Sequence, residues 1–270
     1  MARLNLPFDD HGFLPVAGDA APRPTVSVKS AGRVLQVLEL FDKLQREIRA
    51  AEIAERLEIP QSSTSVLLNC LTQLGYLDYD SSSRTFLPSP RVTLLGTWLD
   101  SGPIRDGSLV RMLEDLSRQT GDTIILAVLN NLFSRYIHII QARKSLRFHF
   151  PVGSTRLVVW SGVGFALISG MSNERIRLLV RRSNAEARRG QPPIDIRKTL
   201  ANVEQVRKQG FFFSKNFLTP GSGSISIPLP NGIDRWGRPL AVSIAGPLDD
   251  IAPRARSIAA ILKSAIQKYF

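Results

Sequence analysis

Apolar residues recur at helical spacing in three consecutive segments of the first hundred residues. The first segment begins after Ser30, a residue type that suits a helix N-cap. It places five apolar residues on one face, namely Val34, Leu35, Val37, Leu38 and Phe41. The second segment, AAEIAERLEI, has an apolar face formed by Ile53, Ala54 and Leu57. In both segments the spacing of the apolar residues is close to the helical period, which predicts amphipathic α-helices.

The third segment, IPQSSTSVLLNCLTQLGYL at residues 59–77, starts with a proline and a cluster of hydroxyl side chains before its apolar run. It predicts a helix over Gln61–Leu74 that ends at Gly75, a C-cap glycine. Its buried face is expected to comprise Thr64, Leu67, Leu68, Leu71 and Leu74. The opposite face then holds Ser62, Ser65, Val66 and Asn69, with Gln61 and Ser63 on the first turn.

A small hairpin follows this helix. Two β-prone runs, Tyr76–Tyr79 and Thr85–Leu87, flank a polar turn at Asp80–Arg84. Helix, helix, short turn, helix and hairpin is the order of elements in a winged helix-turn-helix. We therefore predict such a DNA-binding domain over residues 29–88. Residues 1–28 lack periodicity and are expected to be a flexible arm, and residues 89–105 are predicted to form a helical linker.

Residues 106–270 are predicted to form a second domain. Its helical patterns are SLVRMLEDLSRQTGD, SGVGFALIS, ERIRLLVRR, KTLANVEQVRKQG and a final segment over Ile251–Phe270. Its strand-like runs are TIILAVLN, SRYIHIIQA, Phe211–Phe213, Ser224–Leu229 and Leu240–Ile244. Because these strands do not simply alternate with helices, the pattern predicts an α+β fold.

The polar face of the third helix has two interpretations. The serines could simply cap the helix, leaving a solvated face. Alternatively, the face reads DNA, since a recognition helix places its N-terminal residues at base edges in the major groove. Gln and Asn can pair with adenine, Ser can donate or accept, and Val66 can contact a thymine methyl group. The surrounding helices and hairpin favour the second interpretation, with Arg33 and Arg84 as supporting phosphate contacts.

Composition agrees with a soluble globular protein, with 43% hydrophobic and 21% charged residues. No apolar run is long enough to span a bilayer, so we expect no membrane partner. The single cysteine, Cys70, excludes an intrachain disulfide framework and favours the cytoplasm.

The net charge of +12 is unevenly distributed, because residues 1–100 carry ten Lys and Arg against twelve Asp and Glu. The basicity of residues 101–270 can attract a polyanion but does not read sequence.

The sequence lacks the motifs of an enzyme. His11, His138 and His149 form no metal-spaced cluster with Cys70. There is no G-x-S-x-G elbow, and GSGSIS at residues 221–226 lacks the Gly-Lys-Ser/Thr of a phosphate-binding loop. We therefore expect no catalysis, no metal and no cofactor. The arginine-rich segment at residues 175–190 is best interpreted as a solvated face, with a polyanion or polymerase contact as the alternative.

Together these segments resemble the IclR-type bacterial transcription regulators. The N-terminal match covers the helix with Arg33, the EIAERL helix, IPQSSTSVLLNCLTQLGYL and the hairpin through Phe86. In the second domain, LEDLSRQTGDTIILAVL, VGSTRLVVWSGVGFALIS and the segment from VRKQGFFFSKNF to SIAGP are similar to family segments. The ordered set spans about residues 30–268 and is much more specific than the winged helix alone.

The resemblance implies a GAF-like effector domain at the C-terminus that binds a small organic or aromatic acid. It also implies a homodimer or homotetramer acting on a double-stranded DNA operator. Transferred to this sequence, the effector-binding positions are Trp160, Ser161, Gly162, Val163, Ser214, Ser224 and Ser243. The backbone N–H groups of Gly162 and Val163 match positions that can receive a carboxylate.

Several family positions differ in this chain. Val66 stands where the family often has arginine, and Val159, Trp160 and Phe165 replace its histidine, alanine and lysine. Trp160 could be an aromatic wall of the pocket, although a core position is the preferred interpretation. These changes keep open an alternative in which the pocket is degenerate and the C-terminal domain is an effector-independent oligomerisation module.

Overall fold

A computed structural model describes residues 28–96, 102–144, 148, 150–187, 192–217 and 219–270. Residues 28–96 and 102–270 belong to two separate compact units. The predicted flexible arm lies outside the described residues except for Val28.

The N-terminal unit is a winged helix-turn-helix. Its elements are α1 (Lys29–Leu44), β1 (Ile48–Arg49), α2 (Ala50–Leu57), α3 (Gln61–Gln73), β2 (Leu77–Asp80), β3 (Thr85–Pro88) and α4 (Pro90–Leu94). The three strands form an antiparallel sheet in the order β1-β3-β2. Val37, Ile53 and Leu68 are fully buried in one core that α1, α2 and α3 share. Burying each such aliphatic side chain stabilises the unit by roughly 1.5–3 kcal/mol.

Three details of this unit differ from the sequence prediction. Helix α1 begins at Lys29 with Val28 at the N-cap, so the expected Ser30 cap is wrong. Leu74 is 54% exposed and lies outside the core, because α3 ends one residue earlier. Of residues 89–105, predicted as a helical linker, Pro90–Leu94 form a helix, residues 102–105 form a bend and turn, and residues 97–101 lie outside the described part of the chain.

The C-terminal unit is built on a six-stranded sheet. Its helices are α5 (Ser108–Thr120), α6 (Gly162–Ile168), α7 (Asn173–Glu186), α8 (Ile196–Gln209), α9 (Leu248–Ile251) and α10 (Ala255–Tyr269). Its strands are β4 (Thr123–Asn130), β5 (Phe133–Ile140), β6 (Thr155–Leu157), β7 (Phe212–Lys215), β8 (Ser222–Pro228) and β9 (Leu240–Pro247). All pairs are antiparallel in the order β6-β5-β4-β9-β8-β7, which confirms the α+β class.

Each face of this sheet packs on its own layer of helices. Alternate residues such as Ile225, Val242 and Ile244 face α5 and α10 in one apolar core. Residues of opposite orientation, including Ile125 and Ala245, face α6, α7 and α8 in a second core. The period-2 alternation of side chains thus separates a mainly apolar face toward α5 and α10 from a face toward α6 that carries Ser214, Ser224 and Ser243.

The end of the chain also differs from the prediction. A single final helix was expected over Ile251–Phe270, but α9 ends at Ile251 and α10 begins at Ala255. Pro253 lies between them, and proline interrupts a helix because it has no N–H and clashes with the preceding turn. Residues 175–186 of the arginine-rich segment lie on α7, and residues 188–190 lie outside the described part of the chain. Arg175, Arg177, Arg181 and Arg182 are exposed on α7, which suits both a solvated face and a polyanion contact.

Candidate functional site

Helix α3 presents a polar outer face and a buried inner face. Thr64, Leu68 and Leu71 are buried, whereas Gln61, Ser62 and Asn69 are exposed. Gly75 follows the helix with a φ of 76°, a left-handed conformation that favours glycine and ends the helix. The expected division of α3 is therefore confirmed for Thr64, Leu68 and Leu71 on the buried face and for Ser62, Val66 and Asn69 on the exposed face. Leu67 and Ser65 are both partly buried, and Leu74 is exposed.

The hydroxyl groups at the start of α3 do not cap it. Pro60 occupies the N-cap position, and the helix has no side-chain cap bond. Ser65 instead donates to the Gln61 carbonyl at 3.0 Å, and Thr64 donates to the Pro60 carbonyl at 3.2 Å. Because capping does not occupy the serines, the alternative that they merely cap the helix is wrong.

Val66 lies at the centre of the outer face and is 71% exposed. Ser63 and Ser65 are partly buried beside the outer face. Cys70, which the sequence interpretation left out, is also exposed there. We call the exposed residues Gln61, Ser62, Val66, Asn69 and Cys70 the outer face of α3.

Two arginines were predicted to support this face. Arg33 lies on the second turn of α1 and is partly buried, whereas Arg84 is exposed at the end of the turn between β2 and β3. Neither forms an ion pair with another residue that the structure describes. Both cations therefore remain available for phosphate.

Asp80 fixes the turn between β2 and β3, the hairpin that forms the wing of the domain. Its carboxylate accepts bonds from the Ser82 hydroxyl at 2.7 Å, the Ser82 N–H at 2.8 Å and the Ser83 hydroxyl at 2.8 Å. These bonds, led by the Ser82 hydroxyl, lower the pKa of Asp80 to about 2. The same turn carries Arg84 in the left-handed conformation, with a φ of 57°.

A cavity in the C-terminal unit lies between the sheet and the start of α6. Its volume is about 50 Å³. All six strands contribute to its wall, and the strand pairing places every wall residue of the sheet except Gly223 on the face toward α6. The wall residues on the strands are Ile125, Tyr136, Arg156, Ser214, Ser222, Gly223, Ser224, Ser243 and Ala245, and those beyond them are Phe150, Ser161, Gly162, Val163 and Thr219. We call this space the sheet cavity.

Six of the seven predicted effector-binding residues line the sheet cavity. Ser214 pairs with Ser224 across β7 and β8, and Ser243 lies on the neighbouring strand. The seventh residue, Trp160, does not line it. Trp160 is 41% exposed and packs on Phe217 with ring centroids 5.5 Å apart, so the preferred core position is also wrong.

The start of α6 approaches the sheet closely. A Cβ atom on Gly162 would lie 2.9 Å from the Ser214 Cβ, so this position has room only for glycine. Ser161 caps the helix by accepting a bond from the Gly164 N–H at 3.1 Å. The hydroxyl of Ser161 is therefore committed to the fold, although its side chain lines the sheet cavity.

Arg156 and Tyr136 were not predicted as site residues. The Arg156 Cζ lies 5.9 Å from the Tyr136 ring centroid, and its Nη1 donates to the Thr155 carbonyl at 3.0 Å. Burial lowers the pKa of Arg156 and raises that of Tyr136, while the interaction of each with the other opposes its shift. Arg156 is the sole charged residue in the described wall of the sheet cavity.

The comparisons with known proteins agree in both units. Residues 30–81 match the IclR helix-turn-helix domain, and residues 98–268 match the bacterial transcriptional regulator IclR C-terminal domain. The chain belongs to the IclR family. It is a DNA-binding transcription regulator with an N-terminal helix-turn-helix and a C-terminal effector domain, and not an enzyme.

Individual IclR-family relatives cover most of the chain. The Pca regulon regulatory protein of Pseudomonas putida is 28% identical over 202 residues, covering 74% of this chain and 68% of the relative. The crystal structure of an IclR effector domain from Acinetobacter sp. ADP1 is 28% identical, with a TM-score of 0.56, and covers 61% of this chain and 94% of that one. An IclR transcriptional regulator from Alicyclobacillus acidocaldarius, 22% identical with a TM-score of 0.53, covers 90% and 97% and shows the shared fold.

The described residues contain neither a membrane-spanning helix nor a grouped set of metal ligands. No helix among them is long and apolar enough to cross a membrane. Within the same ranges, no three His, Cys, Asp or Glu side chains are grouped so that they could hold a metal ion.

Proposed function

We propose that the outer face of α3 reads the bases of an operator in the major groove. The observation that carries this proposal is Val66, an apolar residue 71% exposed among polar side chains on an otherwise well-packed helix. A valine at this place offers methyl groups to a thymine methyl, while Gln61 and Asn69 offer the amide groups that suit adenine. Ser62 on this face and the partly buried Ser65 beside it complete the proposed set of base-reading side chains, with the Ser65 oxygen still able to accept a bond.

We propose that phosphate contacts position the N-terminal unit on the DNA duplex. Arg33 and Arg84 supply cations without protein counter-ions among the described residues, and Ser63 supplies a hydroxyl near the helix start. Such contacts fix register and orientation but carry no sequence information. We propose that residues 29–88 form the DNA-binding domain and residues 106–270 the effector domain.

Substitution of Asn69 or Gln61 by alanine tests the base-reading proposal. Each change should relax preference at one operator position by about 1–3 kcal/mol while leaving other positions unchanged. The operator is first selected from random DNA, and affinities are then measured by fluorescence anisotropy on single-base variants. Gln73→Ala is the matched control, since Gln73 is an exposed residue at the far end of the same helix. Equal weakening on every sequence would contradict the proposal.

We further propose that the sheet cavity binds a small organic acid and that binding shifts the affinity for DNA. Support comes from the cationic side chain and hydroxyl groups of its wall. Coupling of this kind is reciprocal, so operator DNA must change the affinity for the acid by the same factor. Calorimetric titration with organic acids, repeated with operator present, measures both affinities.

The small volume of the sheet cavity favours one alternative. In this alternative the space of about 50 Å³ is a remnant pocket, and the C-terminal domain serves as an effector-independent oligomerisation module. Absence of binding heat, of a thermal shift and of any change in operator affinity would support this alternative.

We propose that the regulator acts in the cytoplasm as a homodimer or homotetramer on a palindromic operator. Two recognition helices on successive major grooves require operator half-sites about one helical turn apart. Light scattering on the 29.9 kDa chain gives the oligomeric state directly. A monomer that still binds a palindromic operator at one half-site would contradict this part.

A further inference from the structure

Arg156 is a cation placed in the sheet cavity without a counter-ion. It is partly buried on β6, and one of its N–H groups is used by the Thr155 carbonyl. No ion pair joins it to any carboxylate in the described ranges of the chain. The wall of the sheet cavity contains no Asp or Glu among its described members.

A guanidinium in this position carries a cost that an anion can remove. Withdrawing a charge from water is unfavourable unless a partner of opposite charge and good hydrogen-bond geometry replaces the water. Arginine offers its donors in a planar fork that matches a carboxylate in two parallel bonds. The lowered pKa of Arg156 reports the same loss of hydration.

Hydroxyl groups line the part of the wall formed by β7, β8 and β9, whereas Arg156 lies on β6 at the other edge of the sheet. Ser214 and Ser224 make no side-chain hydrogen bond within the described residues. Ser243 accepts a bond from Ser226 at 2.9 Å, which leaves the Ser243 hydrogen free to be donated elsewhere. The free hydroxyls can therefore both donate to and accept from a hydroxyl group of a ligand.

The size of the sheet cavity limits the ligand. Its volume of about 50 Å³ holds only a few water molecules. An engineered apolar cavity that binds benzene has about 150 Å³, roughly three times as much. An acid with few carbon atoms fits the sheet cavity as it stands, whereas an aromatic acid needs the wall to move.

We propose that the sheet cavity binds a compact aliphatic hydroxy acid, with its carboxylate on Arg156 and its hydroxyl group on Ser214 and Ser224. This proposal rests on the effector function proposed above and narrows its ligand class. Arg156 is then the residue that selects for an acid, and the two serines select for the hydroxyl.

The test uses glycolate, lactate and glycerate as probes on the full-length protein. Each acid is compared with its amide, which removes the charge, and lactate is also compared with propionate, which removes the hydroxyl. At least one of the three acids should raise the Tm and give a measurable Kd. Its amide should show no binding, and propionate should bind more weakly than lactate.

Substitutions assign the contacts. Arg156→Gln should weaken binding of the acid by about thirtyfold or more, and Arg156→Lys should restore part of the affinity. Arg135→Gln is the matched control, because Arg135 is exposed on the neighbouring strand β5 and its loss changes net charge equally. Ser214→Ala combined with Ser224→Ala should abolish the preference for lactate over propionate while Arg156 still holds the carboxylate.

The outcomes separate this proposal from the effector function. If benzoate binds and shifts operator affinity while the three hydroxy acids do not, the effector function stands and the compact hydroxy acid is refuted. Unchanged affinity in Arg156→Gln, with the fold verified by circular dichroism, refutes the role of Arg156. Failure of every organic acid to bind refutes both.

Discussion

Replacing Val66 by alanine should weaken operator binding without harming the fold. Val66 is 71% exposed, so its truncation leaves no cavity. Alanine is also the better helix former, by up to about 0.7 kcal/mol, so α3 should become slightly more stable. Stability and DNA affinity are therefore expected to change in opposite directions, which a general folding defect cannot produce.

The size of the effect follows from the methyl groups removed. Valine exceeds alanine by two methyl groups, and burying each carbon against a base contributes about 0.8 kcal/mol. Loss of both should cost about 1.5 kcal/mol, close to a tenfold loss of affinity. The loss should vanish on an operator whose contacted thymine is replaced by uracil, because uracil lacks the 5-methyl group.

Val66→Arg tests the same position with a charge. An added phosphate contact should steepen the dependence of log affinity on log salt by about 0.9. Between 50 and 200 mM salt, this adds about a 3.5-fold loss of affinity relative to the parent protein. Fluorescence anisotropy on one labelled operator at three salt concentrations measures the slope.

Leu74 provides the control for both changes. It is an exposed aliphatic residue just beyond the end of α3 and outside the outer face, with 54% exposure. Leu74→Ala and Leu74→Arg should leave the affinity on the selected operator and its salt slope nearly unchanged. If Val66→Ala binds as tightly as the parent, or weakens no more than Leu74→Ala, the base-reading role of Val66 is refuted.

Three further predictions concern the fold around the two sites. Arg254→Met should lower the free energy of unfolding by about 1.5–3 kcal/mol, measured by urea denaturation. Asp122 is 1% exposed and would lose two bonds of 2.9 and 3.1 Å, while it keeps the bond from Lys144 at 2.7 Å. Gly162→Ala should lower the Tm and abolish acid binding, because the Cβ of the new alanine would force α6 away from the sheet. A variant with normal Tm and normal binding would contradict the close approach of α6 to Ser214. The pKa of Asp80 lies near 2, below its ordinary 3.8, so the ionised carboxylate stabilises the turn between β2 and β3 above pH 4. This stabilisation is lost as the pH falls from about 4 to 2. Carboxyl NMR titration should show a midpoint near 2, and Ser82→Ala should raise the pKa of Asp80.

The sequence predicted the elements whose pattern extends over several turns or several strand residues. Helix α3 was predicted to within one residue, because its apolar period and Gly75 mark its face and its end. Strands β1 and β6 were missed because two or three residues cannot display an alternation. Their place is set by pairing with distant strands, as when Ile48 pairs with Phe86.

The residues of the sheet cavity were predicted where family segments could be matched to the sequence. They were missed where the strand register determines which side chains face the cavity. The serines of the sheet cavity were located in this way, but Tyr136 and Arg156 were not. The pairing of β4 with β5 shifts between Leu126 and Ala127, so the alternation of β5 changes face along the strand. Arg156 then faces inward because of its pairing with Ser134, a long-range contact that spacing in the sequence does not encode.

The two faces of the six-stranded sheet have different consequences for evolution and for biosensor engineering. On β9, Ile244 belongs to the apolar core with α5 and α10, while its neighbours Ser243 and Ala245 line the sheet cavity. If the sheet cavity binds the proposed acid, substitutions at its polar strand positions should change ligand preference while leaving the apolar core with α5 and α10 in place. A library that randomises only Ser214, Ser224 and Ser243, which belong to neither apolar core, should retain foldable members and yield candidate sensors for new small acids.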